Sequence, residues 1–243
     1  MTPLILIPAR MAATRLPGKP LADIGGRPMI VRAWERACAS GLPVAVAAGD
    51  AEIVSAIQAV GGRAVLTDPD LPSGSDRIRA AVEAIDPEGR HDAIINLQGD
   101  MPFADPGLAL ACAAVLEDRP DCDIATLVAI ESEPADRTSP DVVKAVLALG
   151  AGETQGRALY FTRSTLYGDG PVWRHIGLYG YRREALMRFC AAPPSPLERR
   201  EKLEQLRALE MGLSIWAAVI DKAPLSVDNP ADLEAARRRA MQA

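Results

Sequence analysis

The chain of 243 residues is poor in aromatic side chains and has no excess of positive charge. Phe, Trp and Tyr together make up 4% of the residues, so aliphatic side chains must supply most of the core. The 27 Lys and Arg residues face 32 Asp and Glu residues, which gives a formal net charge of -5. This balance argues against bulk nucleic-acid binding, which needs a basic face, but it permits a local cationic pocket.

Long apolar segments and closely spaced cysteines are also absent. No apolar run approaches the ~20 residues needed to cross a bilayer, and Pro8 and Arg10 interrupt the only apolar stretch near the N-terminus. The four cysteines are far apart, which favours reduced thiols over a disulfide or zinc framework. Pairing of these thiols in an oxidising compartment is the alternative. We therefore predict a cytoplasmic protein without a membrane partner.

The familiar phosphate-binding and nucleophile motifs are missing as well. Gly18-Lys19 is followed by Pro20 rather than Ser or Thr, so the chain has no Walker A loop. Gly25-Gly26 does not fit the spaced glycines of a dinucleotide fingerprint, and no G-x-S-x-G elbow is present. A P-loop ATPase or a dehydrogenase is thus unsupported.

Up to residue 120, apolar strands alternate with amphipathic helices. The predicted strands are Leu4–Ile7, Pro43–Ala48, Arg63–Leu66 and Ala93–Leu97, and the predicted helices are Pro28–Ala39, Ala51–Val60 with Asp50 as N-cap, Ser75–Ile85 and Pro106–Glu117. Such alternation predicts an α/β fold with a mostly parallel sheet and helices on both faces. Ligands of such sheets lie beyond the carboxyl ends of the strands, where loops 9–19 and 98–105 would emerge.

After residue 120 the pattern becomes rich in strands. The predicted elements are strands Ile124–Ile130, Val142–Leu149, Ala158–Thr162 and His175–Arg182, helix Leu197–Met211, strand Ser214–Ile220 and helix Pro230–Met241. We interpret the strand-rich region, around 123–182, as an antiparallel or mixed extension that forms a substrate lid or a dimer surface. No linker divides the chain, so we predict a single domain over 1–243.

The segment Leu4–Pro20 joins a buried strand to a cationic loop. Arg10, Arg15 and Lys19 lie in this loop among small residues, which suggests a cradle for an anionic ligand, most simply a polyphosphate. The alternative is an ordinary surface loop with solvated charges.

Two carboxylates are candidates for a metal site. Asp100 directly follows a predicted strand, and Asp228 lies just before a helix that begins with Pro230. Carboxylates at such positions suit Mg²⁺, which often shares its ligand shell with substrate phosphates. Capping of a helix, or a simple turn, is the alternative role of each. Together with the cationic loop, the two carboxylates predict a magnesium–triphosphate site.

Several blocks along the chain closely resemble the 3-deoxy-manno-octulosonate cytidylyltransferases, also called CMP-KDO synthetases. The blocks are Pro8-Ala9-Arg10, Thr14 to Leu21 (TRLPGKPL), Ser73 to Arg77 (SGSDR), Asn96 to Asp100 (NLQGD), Arg174 to Arg182 (RHIGLYGYR), Pro194 to Glu198 (PSPLE), Leu203 to Arg207 (LEQLR) and Val227 to Glu234 (VDNPADLE). They extend from the first strand to the last helix, so the resemblance covers essentially the whole chain. It implies a Rossmann-like nucleotidyltransferase fold and a homodimer.

The resemblance also implies a reaction and a set of site residues. The family transfers CMP from CTP to the anomeric hydroxyl of an acidic eight-carbon sugar, with Mg²⁺, for lipopolysaccharide biosynthesis. By this resemblance, Lys19, Asp100 and Asp228 are catalytic and both aspartates bind the metal. The residues expected to bind the nucleotide are Arg10, Arg15, Lys19, Ser73 and Arg77. Those expected to face the sugar are Gln98, Arg163, His175, Tyr179, Glu204 and Gln205.

Some alternatives stay open at this point. Without the family, His175 could be a satisfied core residue and Glu204-Gln205 a surface pair of a helix. Many family members carry an acidic residue where this chain has Met101, which leaves a second metal ligand and the number of metal ions open. The stretch Thr165–Trp173 is shorter than the resemblance implies, so the preferred sugar could be a modified octulosonate such as an 8-amino form. A cytidylyltransferase for a sialic acid is the runner-up among enzymes, and a non-catalytic nucleotide sensor is the rival from another class.

Overall fold

The computed structural model describes residues 1–12, 16–131 and 134–242. Contacts divide the chain into two compact units. The N-terminal unit comprises Thr2–Leu110 and Pro224–Ala243, and the central unit comprises Ala111–Ala223 together with Met1. The single domain over 1–243 stays a prediction.

The helices and strands have the following bounds. The strands are β1 (Pro3–Ala9), β2 (Val44–Ala48), β3 (Ala64–Leu66), β4 (Ala93–Asn96), β5 (Ile124–Glu131), β6 (Lys144–Ala148), β7 (Gln155–Thr162), β8 (Val172–Arg182) and β9 (Ile215–Ile220). The helices are α1 (Met29–Cys38), α2 (Ala51–Gln58), α3 (Gly74–Ile85), α4 (Gly107–Asp118), α5 (Pro134–Thr138), α6 (Arg183–Ala191), α7 (Pro196–Glu201), α8 (Gln205–Glu210) and α9 (Pro230–Ala240). A short 3-10 helix covers Lys19–Leu21.

The N-terminal unit contains a parallel sheet in the order β3-β2-β1-β4. The interiors of β1, β2 and β4 are buried except for Pro8, which is partly buried, as near-continuous apolar strands of a covered parallel sheet should be. Because the strands are parallel, their carboxyl ends lie at one edge, and β1, β2 and β4 lead there into Arg10, Gly49-Asp50 and Gln98–Asp100 respectively. Sequence periodicity therefore predicts this unit well, because each strand is apolar and each helix amphipathic.

The central unit contains a mixed sheet in the order β8-β5-β9-β7-β6, and β6 also pairs with β8. Only β5 and β9 run parallel among these neighbours. The mixed pairing expected for this region is thus confirmed. The β5–β8 register is irregular, because Thr126 pairs with Tyr179 whereas the next residue, Leu127, pairs with Ile176. Strand β8 therefore accommodates two extra residues opposite this step.

The predicted helix Leu197–Met211 is wrong. The segment forms two short helices, α7 and α8, because Lys202 takes a left-handed conformation with φ 54° and ends α7. A capping box between Ser195 and Glu198 begins α7. Helical periodicity continues across such a break, so the sequence pattern could not reveal it. Helices α5 and α6 were not predicted either.

Within the described ranges, no helix is long and apolar enough to cross a membrane. All four cysteines are free thiols. Cys112 and Cys122 are buried, and burial raises the pKa of both thiols.

Candidate active site

Lys19, Asp100 and Asp228 form one ion-paired cluster in the N-terminal unit. The Lys19 Nζ atom lies 2.8 Å from Asp100 Oδ2 and 3.3 Å from Asp228 Oδ1. The lysine side chain is 15% exposed, against 24% for Asp100 and 44% for Asp228. Partly exposed ion pairs contribute little to the stability of a fold. The contacts of Lys19 therefore matter because they show that the three charged groups lie together.

A backbone hydrogen bond holds the two carboxylates near each other. The amide of Val227 donates to the carbonyl oxygen of Asp100 at 2.9 Å. The Val227 side chain is fully buried in an apolar cluster with Met29 and Leu233. This packing fixes the segment before α9 against the loop after β4, and it places Asp228 beside Lys19.

The helix cap of α9 is made by Asn229 and not by Asp228. The Asn229 side chain accepts hydrogen bonds from the amides of Ala231 and Asp232, and Asp232 completes a capping box. The amide of Asp228 donates to Asp232, while its own carboxylate points to Lys19. The capping alternative for Asp228 is therefore excluded.

A small pocket of about 100 Å³ opens beside this cluster. Arg10, Lys19, Gln98 and Asp100 contribute its polar lining. Gly99 leaves room here, because a Cβ atom at this position would make tight contacts of 3.2 Å with the carbonyl oxygen of Pro8 and 3.0 Å with Ile30 Cδ1. Glycine therefore eases the close approach of the loop after β4 to the end of β1.

Asp50, which the sequence predicted as the N-cap of a helix, holds the loop after β1 by a hydrogen bond. Asp50 occupies the N-cap position of α2, as predicted, but its side chain makes no capping hydrogen bond. Instead, Asp50 Oδ2 accepts a hydrogen bond of 2.7 Å from the amide of Met11. Gly18 donates to the carbonyl oxygen of Met11 and has a left-handed φ of 69°, a conformation that glycine adopts without strain. Both backbone groups of Met11 are thus fixed close to Arg10 and Lys19.

The remaining nucleotide candidates differ in their surroundings. Arg10 is exposed and donates one long hydrogen bond, 3.5 Å, to the carbonyl oxygen of Leu71. Ser73 caps α3 and bonds to Asp76. Arg15 lies outside the described residues.

Arg77 is 2% exposed, and its guanidinium group donates hydrogen bonds within the N-terminal unit. It donates to Thr67 Oγ1 and to the carbonyl oxygens of Asp68 and Pro69. Burial, and next the charge of Arg10, lower the pKa of Arg77, and Asp50 and Asp68 oppose that shift. These contacts favour a positioning role for Arg77 in the loop after β3 rather than direct contact with a ligand.

The donor set fits a magnesium ion that is completed by substrate oxygens. Asp100 and Asp228 both lie within hydrogen-bonding distance of one ammonium group, so a cation already occupies the position between them. The described residues contain no group of three or more His, Cys, Asp or Glu side chains placed to hold a metal. Met101 is 5% exposed and supplies no third carboxylate. Two carboxylates with phosphate and water oxygens are the ligand set that Mg²⁺ commonly takes.

In the central unit, the structure brings His175 and Tyr179 together on β8. Their ring centroids are 5.4 Å apart, and the Phe161 ring lies 4.9 Å from His175 in an edge-to-face arrangement. Burial lowers the pKa of His175 to about 3, so the imidazole is neutral at ordinary pH. Burial, and next the charge of Glu204, raise the pKa of the Tyr179 hydroxyl.

Glu204 and Gln205 do not form the surface pair of a helix. Glu204 occupies the N-cap position of α8, and Gln205 is 6% exposed. The guanidinium group of Arg207 lies 3.6 Å from Glu204 and makes a two-pronged ion pair with Glu198. The sequence pattern gave no signal for this role of Arg207.

Arg163 is held by a lysine that sequence reasoning missed. Lys144 is fully buried, and its ammonium group donates to the backbone carbonyl oxygens of Ser139 and Arg163, the latter at 2.9 Å. The Arg163 side chain donates to the carbonyl oxygen of Pro140 at 2.9 Å. A buried charged residue within a strand was the one available signal.

Known proteins match this chain over nearly its full length. The model of the cytidylyltransferase family matches residues 4–215. A 3-deoxy-manno-octulosonate cytidylyltransferase from Parvibaculum lavamentivorans is 60% identical over 237 residues, which cover 97% of this chain and 91% of the relative. The enzyme of the same name from Rhodospirillum rubrum is 56% identical and covers 97% of this chain and 94% of the relative. The chain belongs to the 3-deoxy-manno-octulosonate cytidylyltransferase family.

Solved structures share the fold of this chain. A CMP:2-keto-3-deoxy-manno-octonic acid synthetase complexed with CTP superposes with a TM-score of 0.90 at 36% identity, and the match covers 100% of this chain and 99% of that one. A 4-diphosphocytidyl-2C-methyl-D-erythritol synthase from Anaerococcus prevotii, at 11% identity and a TM-score of 0.66, shares the fold alone. The α/β nucleotidyltransferase fold expected from the resemblance is thus confirmed.

Proposed function

We propose that this chain transfers CMP from CTP to the anomeric hydroxyl of 3-deoxy-D-manno-octulosonate and releases pyrophosphate. Relatives that carry this name are 55 to 60% identical over almost the whole chain. The observation that carries the proposal is the contact of Lys19 with both Asp100 and Asp228, beside a pocket lined by Arg10 and Gln98. A cation, two carboxylates and a second cation form the charge pattern that a metal–triphosphate ligand needs.

The chemistry is a direct in-line displacement. A bond forms between the anomeric oxygen of the sugar and the α-phosphorus, the bond from the α-phosphorus to the bridging oxygen breaks, and the hydroxyl proton leaves to a base. No covalent enzyme intermediate is needed, because positioning and charge neutralisation provide most of the catalysis of such transfers. Lys19 and Arg10 neutralise phosphate charge in this proposal, and Arg15 is a further candidate from the same loop.

Asp100 and Asp228 would hold the magnesium ion. When bound, Mg²⁺ neutralises phosphate charge and polarises the phosphoryl group. With the two carboxylates holding the metal ion, the Lys19 ammonium group would be available to bind the triphosphate. The roles of both aspartates as ligands are part of this proposal.

The sugar residues have complementary chemistry. Arg163 is the cation among them and suits the sugar carboxylate. His175 is neutral, and with Tyr179, Gln98, Glu204 and Gln205 it suits hydroxyl groups. Arg163, His175, Tyr179, Glu204 and Gln205 all belong to the central unit.

The test is release of pyrophosphate from CTP and Mg²⁺ with each acidic sugar in turn. We expect turnover with 3-deoxy-D-manno-octulosonate and much less with a sialic acid or the 8-amino octulosonate, in separate assays and in competition for one pool of CTP. Reactions without sugar, and reactions with UTP, serve as controls. Absence of release with every acidic sugar would sink the proposal, and tight CTP binding in that case would indicate a nucleotide sensor.

An aspartate that holds the loop gives a second expected result. Asp50→Ala removes the acceptor of the Met11 amide, so we expect KM for CTP to rise about tenfold, the typical effect of one charge-assisted hydrogen bond. KM for the sugar should change little. Glu52→Gln, an exposed change on the same helix, is the control. An unchanged KM for CTP in Asp50→Ala would show that the anchor does not matter to nucleotide binding.

We further infer a cytoplasmic homodimer that serves lipopolysaccharide biosynthesis, as the resemblance implies. We place the dimer surface in the strand-rich region, where Ile130, Leu159 and Tyr167 are exposed. Sedimentation equilibrium of the purified chain decides the oligomeric state. The role of this region as a lid stays a prediction.

A further inference from the structure

The hydroxyl group of Thr126 lies at the irregular step between β5 and β8. Thr126 is fully buried. Its Oγ1 atom lies 2.9 Å from the carbonyl oxygen of Leu178, 3.2 Å from that of Ile176 and 3.0 Å from Nε2 of His175. One hydroxyl group therefore faces two carbonyl oxygens and one ring nitrogen.

Counting hydrogens decides the direction of these bonds. A threonine hydroxyl has one hydrogen to donate and two lone pairs that accept, whereas carbonyl oxygens only accept. If the hydrogen pointed at His175, two pairs of oxygen atoms would meet at 2.9 and 3.2 Å with no hydrogen between them. The single hydrogen fully relieves only one of these contacts, and donation to the nearer carbonyl oxygen, that of Leu178, is favoured, so the hydroxyl oxygen accepts from His175. This requires a proton on Nε2.

The other ring nitrogen is then defined as well. A neutral imidazole carries one N–H group, so Nδ1 of His175 keeps a lone pair. The described residues of the central unit give Nδ1 no hydrogen-bond partner, and the rings of Phe161 and Tyr179 flank the imidazole. The residue as a whole keeps part of its surface exposed.

We infer that Thr126 is a positioning residue that fixes His175 as the Nε2–H tautomer, so that Nδ1 accepts a hydrogen bond from a hydroxyl group of the sugar. The sugar part of this inference rests on the proposed function, whereas the tautomer does not. A carboxylate has no hydrogen to donate to Nδ1. The acid group of the sugar must therefore be bound elsewhere, and His175 selects for a hydroxyl.

The tautomer is read directly from nitrogen chemical shifts. The chain has only two histidines, so a ¹⁵N-histidine-labelled sample and the His91→Gln variant assign His175 without ambiguity. We expect a protonated Nε2 and an unprotonated, strongly deshielded Nδ1 at neutral pH. A proton on Nδ1, or a doubly protonated ring, would overturn the inference whether or not any sugar is turned over.

Kinetics test the sugar contact. Thr126→Val keeps the shape but removes the acceptor, and we expect KM for the octulosonate to rise about tenfold, the loss of roughly one hydrogen bond, with KM for CTP unchanged. Thr126→Ser keeps the hydroxyl and should stay near wild type in both constants. Thr126→Val also leaves two carbonyl groups without their donor. If that variant does not fold, the nitrogen spectrum of the wild type and the kinetics of Thr126→Ser still test the inference. A Thr126→Ser enzyme that has the wild-type tautomer of His175 but a tenfold higher KM for the sugar would contradict it.

Discussion

Asp100→Asn and Asp228→Asn are each expected to lower the rate of pyrophosphate release by roughly a thousandfold. Each change replaces a carboxylate that contacts Lys19 with a neutral amide, which binds Mg²⁺ far less well. The measurement is turnover of CTP and octulosonate across a magnesium titration, with CTP binding measured separately by calorimetry. A near-normal rate of Asp228→Asn at low magnesium would contradict its role as a ligand.

The matched control for these variants is Asp105→Asn. Asp105 lies on the same loop, is exposed, and accepts a hydrogen bond from the amide of Gly107, which an asparagine can also accept. The variant should keep the wild-type rate. A comparable loss in Asp105→Asn would show that the assay responds to disturbance of the loop rather than to the two carboxylates that contact Lys19.

Arg207→Met is expected to cause the largest loss of stability, about 3–5 kcal/mol. Arg207 is 6% exposed, pairs with both carboxylate oxygens of Glu198, and donates to the carbonyl oxygens of Phe189 and Ala192. Its removal leaves a poorly solvated carboxylate and two carbonyl groups without their donor. Thermal unfolding should show a fall in Tm of about 10 °C for a chain of this size.

Two further variants separate charge from packing at this position. Arg199→Met changes an exposed arginine of α7 and should be nearly neutral. Arg207→Met combined with Glu198→Gln should recover part of the loss, because no buried charge is then left unpaired. If Arg207→Met alone unfolds at the wild-type temperature, the ion pair does not stabilise the fold.

The same pair predicts a dependence on pH. Burial alone would raise the pKa of Glu198, but hydrogen bonds from Arg207 and Ser195, with the charge of Arg207, lower it below its ordinary value of 4.5. A carboxyl group with a lowered pKa in the folded state stabilises the protein above the unfolded-state pKa, and this contribution is lost as the pH falls through the folded-state value. The difference in stability between wild type and Arg207→Met should therefore narrow below about pH 4.5.

The sequence predicted the parts of the fold and site that depend on local pattern. Apolar strands and amphipathic helices of the N-terminal unit carry their own periodicity, and the polar residues at strand ends follow from it. The pairing of Asp100 with Asp228 came from the ligands that a magnesium–triphosphate site facing the cationic loop would need. The structure brings both aspartates to Lys19, and their roles in catalysis stay predictions.

What the sequence did not show depends on contacts between distant segments. Asp50 has the right position for a helix cap, yet its carboxylate bonds to Met11, because the end of β1 passes beside it. Arg77 belongs to a block expected to bind nucleotide. The sequence did not show that its guanidinium group donates hydrogen bonds to Thr67 and to nearby carbonyl oxygens. The break between α7 and α8 depends on the φ angle of Lys202, and a helical periodicity of the sequence does not reveal that angle.

The irregular step in β8 has a consequence for how the length of this strand can change. Between the pairs Thr126–Tyr179 and Leu127–Ile176, β8 advances by three residues while β5 advances by one. The excess of two is an even number, so His175 and Tyr179 keep the same parity and face the same side of the sheet. Loss of a single residue, for instance Gly177, would leave one excess residue, which an ordinary β-bulge accommodates while the pairs on either side stay opposite each other. The step is therefore a place where β8 can change in length without moving His175 or Tyr179 relative to β5.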